Sequence, residues 1–173
     1  MASLLNSFDQ IIYRDRPAGQ KHSDCITDIV DGNNTSSVVI PYGAIVVIDD
    51  SVTATNDVNN PPVKLISADD EVIVGLSVLE YTNEEARNVA EATGFPPTSQ
   101  FPIAKKGEFK VFSETANKYG DPVFVRYATG AGGTKVGYGF RNVTVTDETV
   151  AVPNAIWVTA NGAGKVGAIR LNS

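Results

Sequence analysis

Short runs of β-branched and aliphatic residues alternate with turn-forming residues along most of the chain from residue 37 onward. Runs of this length, bounded by Gly, Pro, Asn and Asp, are typical of β-strands. The predicted strands span residues 37–40, 44–48, 63–66, 72–79, 103–112, 122–127, 136–140, 142–152, 155–159 and 166–171. Many short strands at close spacing predict a mainly β fold, either an antiparallel β-sandwich or a barrel.

Glycine residues refine three of these predictions. Gly75 interrupts an apolar run, which indicates a bulge or a close approach of two backbones. Lys106 and Gly107 predict a turn that divides residues 103–112 into two strands. The sequence Asn-Gly-Ala-Gly-Lys at residues 161–165 predicts the hairpin turn between the last two strands.

One segment departs from the strand pattern and predicts a short helical insertion near residues 82–94. Thr82 and Glu85 have the spacing of a capping box, in which side chains satisfy free backbone amides at a helix start. The small and apolar residues that follow share one helical face: Ala86, Val89, Ala90 and Thr93. Gly94 and the two prolines after it end the helix, so the whole insertion spans residues 82–100.

The N-terminal part of the chain lacks a comparable pattern, because Pro17, Gly19 and Gly32 interrupt a mostly polar stretch. We therefore predict an N-terminal arm or extended segment over residues 1–36 and a β-rich body over residues 37–173. The first twenty residues admit two interpretations: a weakly ordered terminus, or an arm that becomes ordered on a partner.

Charge and composition argue against several classes of protein. The chain has 14 Lys and Arg against 20 Asp and Glu, a net charge of −6, which is unsuited to following the phosphate backbone of a nucleic acid. The single cysteine can form no internal disulfide, which is consistent with a reducing cytoplasm. The first residues lack signal-peptide features, and no stretch approaches the roughly 20 apolar residues of a membrane helix. We therefore expect neither nucleic acid nor membrane as a partner.

Two glycine-rich motifs suggest nucleotide binding but lack its structural context. Residues 162–167 spell G-x-G-x-x-G, yet a dinucleotide site needs a long helix after that motif, and only six residues follow it. The loop at residues 130–135 lacks the Gly-Lys-Ser/Thr ending of a phosphate loop. We predict turns at both places and expect no cofactor.

The residue types that catalysis and metal binding require are scarce. A nucleophile needs a base held by a third group, and the single His22 lies beside the single Cys25 in the poorly patterned N-terminal segment. One Cys and one His are too few for a zinc site. The acidic runs at residues 49–50 and 69–71 lack the alternating spacing of a calcium loop. We expect solvated turn ends there and no catalytic or metal-binding residues, with a calcium site as a minor alternative.

The most distinctive motif is Gly-Asp-Pro-Val-Phe-Val-Arg-Tyr at residues 120–127, followed by a glycine-rich loop and Val-Gly-Tyr-Gly-Phe-Arg at residues 136–141. It resembles the Pro-Val-aromatic-Val-Arg strand, glycine loop and Gly-aromatic-Arg return of the structural cement, or head decoration, proteins of tailed bacteriophages. Further similar segments are residues 40–46, 74–79, 153–158 and 167–171. The resemblance covers residues 37–171.

This resemblance implies a non-enzymatic protein that binds the outer surface of an assembled capsid and bridges neighbouring capsomers. The implied partners are the major capsid protein and further copies of the chain, as a homotrimer. The implied location is the exterior of the virion, after synthesis in the host cytoplasm. The candidates for structural or interface roles are Arg126, Tyr127, Phe140, Arg141 and Trp157. Trp157 shares its strand face with small residues, which leaves room for the indole to cover a core or a subunit interface.

A carbohydrate- or host-surface-binding β-module of a virion is the alternative. Its candidate residues are Tyr42, Tyr81, Tyr127 and Tyr138. Clustering of these tyrosines on one open face would favour this alternative, whereas burial in the sheets would favour a cement protein. An enzyme is a weaker alternative, because it would need a deep pocket with several convergent acidic groups.

Overall fold

Eleven β-strands build the described part of the chain, and the prediction of a mainly β fold is confirmed. The computed structural model describes residues 19, 28–52, 60–79, 94–130 and 135–172, and none of these lies in a helix. The strands are β1 (Asp28–Asn34), β2 (Ile40–Pro41), β3 (Ile45–Ile48), β4 (Pro62–Leu65), β5 (Ile73–Ser77), β6 (Gly94–Phe95), β7 (Gln100–Ser113), β8 (Pro122–Arg126), β9 (Gly139–Arg141), β10 (Thr149–Trp157) and β11 (Lys165–Leu171).

The predicted helical insertion falls mostly on residues outside those ranges. Of the helix near residues 82–94, only Gly94 is described, and it begins β6. Within the described ranges, no helix is long and apolar enough to cross a membrane.

The strands close into two rings that share one member. The N-terminal ring runs β1, β4, β3, β5 and β7, and it closes because β7 pairs with both β5 and β1. The C-terminal ring runs β7, β11, β10, β8 and β9, and it closes because β9 pairs with both β8 and β7. All pairs in the rings are antiparallel except β1 with β4 and β7 with β9. Of the two architectures that the sequence leaves open, the closed rings correspond to a barrel.

Strand β7 is the shared member and passes through both rings. Its 14 residues span about 46 Å at the usual rise per residue. Residues 100–106 pair with β1, and residues 107–113 pair with β11. A register shift opposite Asp28 and Ile29, together with a φ of 132° at Gly107, marks the bend between the two halves. The predicted turn at Lys106 and Gly107 is therefore wrong, because the glycine permits a bend within one strand.

Two hydrophobic clusters fill the fold, and β3 contributes to both. Val46 packs in the smaller cluster with Val63 and Ile103 of the N-terminal ring. Ile45 and Val47, on the opposite face of β3, belong to the larger cluster, which includes the buried residues of the C-terminal ring. A strand that is buried on both faces reads as a continuous apolar run, which explains the uninterrupted sequence of β3. The two rings therefore share a core.

Several strand predictions differ from the structure in position. Residues 37–40 form no strand except at Ile40, and Val38 and Val39 are 51% and 45% exposed. The β-branched composition of this run does not distinguish a strand from an exposed loop. Strand β1 lies on the N-terminal side of the predicted boundary at residue 37 and is paired within the sheet. The strand predicted over residues 142–152 begins only at Thr149, after a run of turns.

Two glycine-based predictions are confirmed. A Cβ atom at Gly75 would lie 2.3 Å from the carbonyl oxygen of Ala104, and the β3–β5 register shifts beside it. Strands β10 and β11 pair as the predicted hairpin, with Trp157 opposite Ile169.

Trp157 is fully buried in the larger cluster, with Ala155 and Ile169. Its indole Nε1 donates to the carbonyl oxygen of Arg141 at 3.4 Å. A Cβ atom at Gly167 would lie 2.9 Å from the indole Cζ3, so the absence of a side chain at that position makes room for the ring.

We expect Trp157→Ala to lower the free energy of unfolding by about 3–5 kcal/mol, because it leaves a large cavity in the shared core. Urea unfolding followed by circular dichroism measures the change. Tyr119, which is 67% exposed, supplies the control: Tyr119→Ala should shift the unfolding free energy by no more than about 0.5 kcal/mol. Equal effects of the two substitutions would contradict the burial of Trp157.

Candidate interaction surfaces

A buried ionic cluster surrounds the last residue of β8, Arg126, whose side chain is fully buried. Its Nε and Nη2 donate to the carboxylate of Glu114 at 3.0 and 2.8 Å, and its Nη1 donates to Glu148. The hydrogen bonds that Arg126 donates to Glu114 and then to Glu148 raise its pKa above the ordinary value, so the guanidinium keeps its charge. Arg141 lies 3.8 Å from Glu114 and completes a neutral set of two cations and two anions. Such pairing offsets the cost of removing charges from water.

Two glycines of the distinctive motif make room for this cluster. A Cβ atom at Gly130 would lie 1.9 Å from Oε1 of Glu148, and one at Gly139 would lie 2.3 Å from Oε1 of Glu114. Gly130 and Gly139 therefore have a common physical cause, which is the space that the two carboxylates occupy around Arg126.

The sequence-predicted candidates lie mostly inside the protein. Arg126, Phe140 and Trp157 are fully buried, and Tyr127 and Arg141 are half-buried. The structure brings Arg126 and Arg141 together on Glu114 and joins Trp157 to Arg141 through its carbonyl oxygen. Tyr127 packs separately against the larger cluster. These side chains offer little surface in the described chain, and the exposed large hydrophobic side chains lie elsewhere.

One end of the N-terminal ring carries four exposed valines, and we call this end the N-terminal tip: Val38, Val39, Val52 and Val72. Strands β1 and β3 end there and β4, β5 and β7 begin there, as their registers show. The backbone amide of Ile48 donates to the carbonyl oxygen of Val72 at 3.2 Å, which brings the fourth valine to the same end.

Two polar side chains shape the loops of the N-terminal tip. Asn34 is fully buried and donates to the carbonyl oxygens of Val38, Phe95 and Pro96 at 2.9–3.1 Å. Asp49 is 5% exposed and accepts from the hydroxyls of Thr35 and Ser51, both at 2.6 Å. These bonds tie the loop that carries Val38 and Val39 to the loop that carries Val52. The hydroxyl of Ser51, followed by that of Thr35, lowers the pKa of Asp49 below its ordinary value.

The opposite end of the protein, at the far end of β7, carries the remaining exposed large hydrophobic side chains of the described residues, and we call it the C-terminal tip: Tyr119, Val143 and Val166. Asp121 ties its loops together, because Oδ2 accepts from Asn142 Nδ2 and from the amide of Lys118, both at 2.8 Å. The bond from Asn142, with that from the Lys118 amide, lowers the pKa of Asp121. Each tip is thus organised by one aspartate. Composition did not reveal either tip, because exposed valines look like strand residues in a sequence.

Gly19 lies at the junction of the two rings. Its amide donates to the carbonyl oxygen of Lys110 at 2.7 Å, and its own carbonyl oxygen accepts from Leu79 at 3.1 Å. Its φ is +84°, and a Cβ atom there would lie 2.7 Å from the amide nitrogen of Gly43. A residue with a side chain therefore fits this position poorly, and Gly19 is held by hydrogen bonds to both rings.

The acidic runs at residues 49–50 and 69–71 each contain a carboxylate, Asp49 and Glu71, that forms hydrogen bonds within the fold. The prediction of a solvated turn end is wrong for Asp49, which is buried. Glu71 accepts from the amide of Ser67 at 2.6 Å and pairs with Lys64 at 2.7 Å. Within the described ranges, no group of three or more His, Cys, Asp or Glu side chains is placed to hold a metal ion. His22 and Cys25 lie outside those ranges.

The tyrosines proposed for a carbohydrate- or host-surface-binding module do not share an open face, as far as they are described. Tyr42 packs edge-on against Phe95, with ring centroids 5.0 Å apart. Tyr138 packs against the same smaller cluster, whereas Tyr127 packs against the larger one. Tyr81 lies outside the described residues.

A small cleft opens between β5 of the N-terminal ring and the β10–β11 hairpin. Its volume of about 180 Å³ is bounded by apolar residues such as Ile73 and Leu171, with Lys105 at its side. Ligand pockets usually measure roughly 300–1,000 Å³ and hold several convergent polar groups. This cleft therefore gives no support to a small-molecule site.

The lowered pKa of Asp49 predicts a pH-dependent contribution to stability. A carboxyl group whose pKa is depressed by folding stabilises the protein above its unfolded-state pKa of about 3.9, and this contribution is lost as the pH falls through the folded-state value. The difference in unfolding free energy between wild type and Asp49→Asn should therefore be constant above about pH 5 and shrink below it. Urea unfolding at a series of pH values measures this difference. Asp50→Asn, at an exposed position, is the control, and a pH-independent difference for Asp49→Asn would refute the assignment.

The space around Arg126 predicts the effect of a single added methyl group. Gly139→Ala should lower the free energy of unfolding by about 1–3 kcal/mol, because the methyl group displaces Glu114 from the guanidinium. Gly162→Ala is the matched control, since a Cβ atom there meets nothing within 4 Å. In a Glu114→Ala background the cost of Gly139→Ala should largely vanish. An unchanged cost in that background would place the clash elsewhere.

Comparison with known proteins agrees with the resemblance in the sequence. A profile described as structural cement protein (E217 gp24/Pam3 gp6) matches residues 15–172. Among solved structures, a chain from the capsid of Myoviridae phage XM1 has a TM-score of 0.66 and 15% sequence identity, with 92% of each chain covered. At that identity the likeness establishes the fold alone. No curated protein matches the chain.

The family match extends over most of the chain and includes the whole double ring, the ionic cluster around Arg126, both tips and Gly19. The distinctive strand and return that suggested the family supply Arg126 and Arg141, and Gly130 and Gly139 border the carboxylates that bind the guanidinium of Arg126. The chain belongs to the structural cement protein family of bacteriophages.

Proposed function

We propose that this protein binds the outer surface of an assembled phage capsid and stabilises the shell by bridging neighbouring capsomers, without catalysis. The observation that carries the proposal is the match to the structural cement family over residues 15–172. That family gives the chain a structural, capsid-stabilising role in the virion. The outer position, the bridging and the trimer are our extension of it.

The architecture suits a part that must carry load between two attachment points. One strand runs through both rings, and β3 is buried in both hydrophobic clusters. A displacement of one end therefore acts on the shared core and on β7 directly. In this proposal the buried candidates Arg126, Phe140 and Trp157 have a structural role, because they hold the C-terminal ring in shape.

The N-terminal arm is the proposed contact with the major capsid protein. Gly19 is hydrogen-bonded to Lys110 of the C-terminal half of β7 and to Leu79, which follows β5 of the N-terminal ring. In this proposal, tension on residues 1–18 acts on Gly19, which is hydrogen-bonded to both rings. This attachment supports an arm that works as a tether.

Binding through several arms would stabilise the closed shell, because the protein binds that state more tightly than separated capsomers. In a homotrimer, the first arm to bind raises the effective concentration of the other two near their sites. Because several sites are within reach only when capsomers are adjacent, the trimer binds the closed shell more tightly than separated subunits. Preferential binding to the closed shell then favours it over the open one.

Deletion of residues 1–18, with Gly19 retained, should weaken binding to capsids by more than about tenfold, because each lost contact is multiplied across the trimer. Co-sedimentation with capsids that lack this protein measures binding, and the temperature at which those shells release DNA measures stabilisation. The truncated chain should keep its circular dichroism spectrum.

A variant with residues 1–18 in scrambled order is the control for length and charge, and it should bind as weakly as the deletion. Undiminished capsid binding by the truncated chain would overturn the role of the arm. A full-length chain that binds no capsid would overturn the proposed function itself.

A further inference from the structure

We propose that Asn161, in the loop between β10 and β11, is a site of spontaneous deamidation. The reaction runs through a succinimide formed with the backbone nitrogen of Gly162, and its products loosen the packing beside Trp157. This modification is a property of the folded chain and goes beyond the capsid-stabilising function proposed above.

The residue that follows an asparagine controls how easily its side chain closes onto the backbone. Asn161 is the only asparagine of the chain that a glycine follows. Glycine has no Cβ atom to crowd the attacking nitrogen, and its backbone reaches conformations that other residues avoid. Asn142, by contrast, precedes the β-branched Val143, whose side chain is bulky and stiff at the atom that lies closest to the backbone.

The backbone nitrogen of Gly162 is available for the attack. Gly162 is exposed, and its amide donates no hydrogen bond to any residue in the described part of the chain. A Cβ atom at this position would meet nothing within 4 Å, so the backbone has room to turn. The turn is fixed only further on, where the amide of Gly164 donates to the carbonyl oxygen of Ser113 at 2.8 Å.

The nitrogen that the reaction removes is an unpaired buried donor. Nδ2 of Asn161 is buried and has no hydrogen-bond acceptor among the described residues. Buried polar groups are usually paired, and a hydrogen bond to Nδ2 would have held the carboxamide in place. Loss of Nδ2 therefore breaks no hydrogen bond of the folded protein.

The chemistry needs no reactant other than water. The amide nitrogen of Gly162 gives its proton to hydroxide and attacks Cγ of Asn161. A bond from this nitrogen to Cγ forms, the bond from Cγ to Nδ2 breaks, and Nδ2 takes up a proton and leaves as ammonia. Water then opens the ring. Addition at Cγ yields aspartate, and addition at the main-chain carbonyl carbon yields isoaspartate, in which the main chain runs through the former side chain.

Both products disturb the packing around Gly167. A Cβ atom at Gly167 would lie 1.9 Å from Nδ2 of Asn161 and 2.9 Å from Cζ3 of Trp157, so the carboxamide and the indole flank this glycine together. A carboxylate oxygen in place of Nδ2 would be a charged atom in a buried position, which is costly without partners. Isoaspartate also lengthens the main chain beside the backbone bridge of Asn161 with Asn117, whose hydrogen bonds measure 3.0 and 3.3 Å.

Incubation of the full-length protein at mildly alkaline pH tests the reaction. Peptide mapping by mass spectrometry should find aspartate and isoaspartate at position 161 before any change at Asn142 or Asn154. The rate should rise with pH, because the attacking amide must first lose its proton. An enzymatic assay for isoaspartate distinguishes the two products.

Gly162→Ala is the matched variant, since its methyl group meets nothing in the fold but crowds the attacking nitrogen. It should deamidate at least severalfold more slowly than wild type. Equal rates in the two proteins would overturn the succinimide route. An Asn161 that stays intact in the folded chain while it is modified in the chain unfolded by urea would show that the fold protects it, and would overturn the proposal.

Asn161→Asp tests the effect of the product on the fold. It should shift the midpoint of urea unfolding to a lower concentration, as should the aged wild-type protein. Asn154→Asp, at an exposed position, introduces the same charge and should leave the midpoint nearly unchanged. A midpoint that Asn161→Asp and ageing both leave unchanged would refute the loosening beside Trp157.

Discussion

The bend of β7 at Gly107 is the constraint on which the rest of the structure depends. Each ring needs β7 to close, so a reversal at this glycine would leave both rings open. The positive φ lets one strand change direction without ending. The shared core, the separation of the tips and the anchoring of Gly19 all follow from a strand that continues through this point.

Hydrogen bonds from polar side chains order the loops that strand pairing does not include. Carboxylates hold several segments that lie outside the ladders. Asp49 joins the loops after β1 and β3, Asp121 joins the loops that carry Lys118 and Asn142, and Glu148 lies beside Gly130. Each carboxylate is satisfied by named donors, as buried or half-buried acids must be. The acidic composition thus serves internal order as well as surface charge.

Local patterns predicted those parts of the fold that depend on local chemistry. The β10–β11 hairpin and the close approach at Gly75 followed from turn and glycine signals. The sequence did not distinguish a bend from a turn at Gly107, since both require the same residue. It gave no sign that Arg126 is buried, because its partners lie 12 and 22 positions away. The tips were missed because solvent exposure is decided by the closed rings and not by valine itself.

The direction of β7 relative to the tips has a mechanical consequence. A pull applied between the two ends acts along this strand, whereas the hydrogen bonds of its ladders run across it. The bonds are then loaded in shear and share the force, so they must fail together and not one after another. A force applied across the rings would instead open them bond by bond. The fold is therefore expected to resist a pull along β7 better than a pull across the rings.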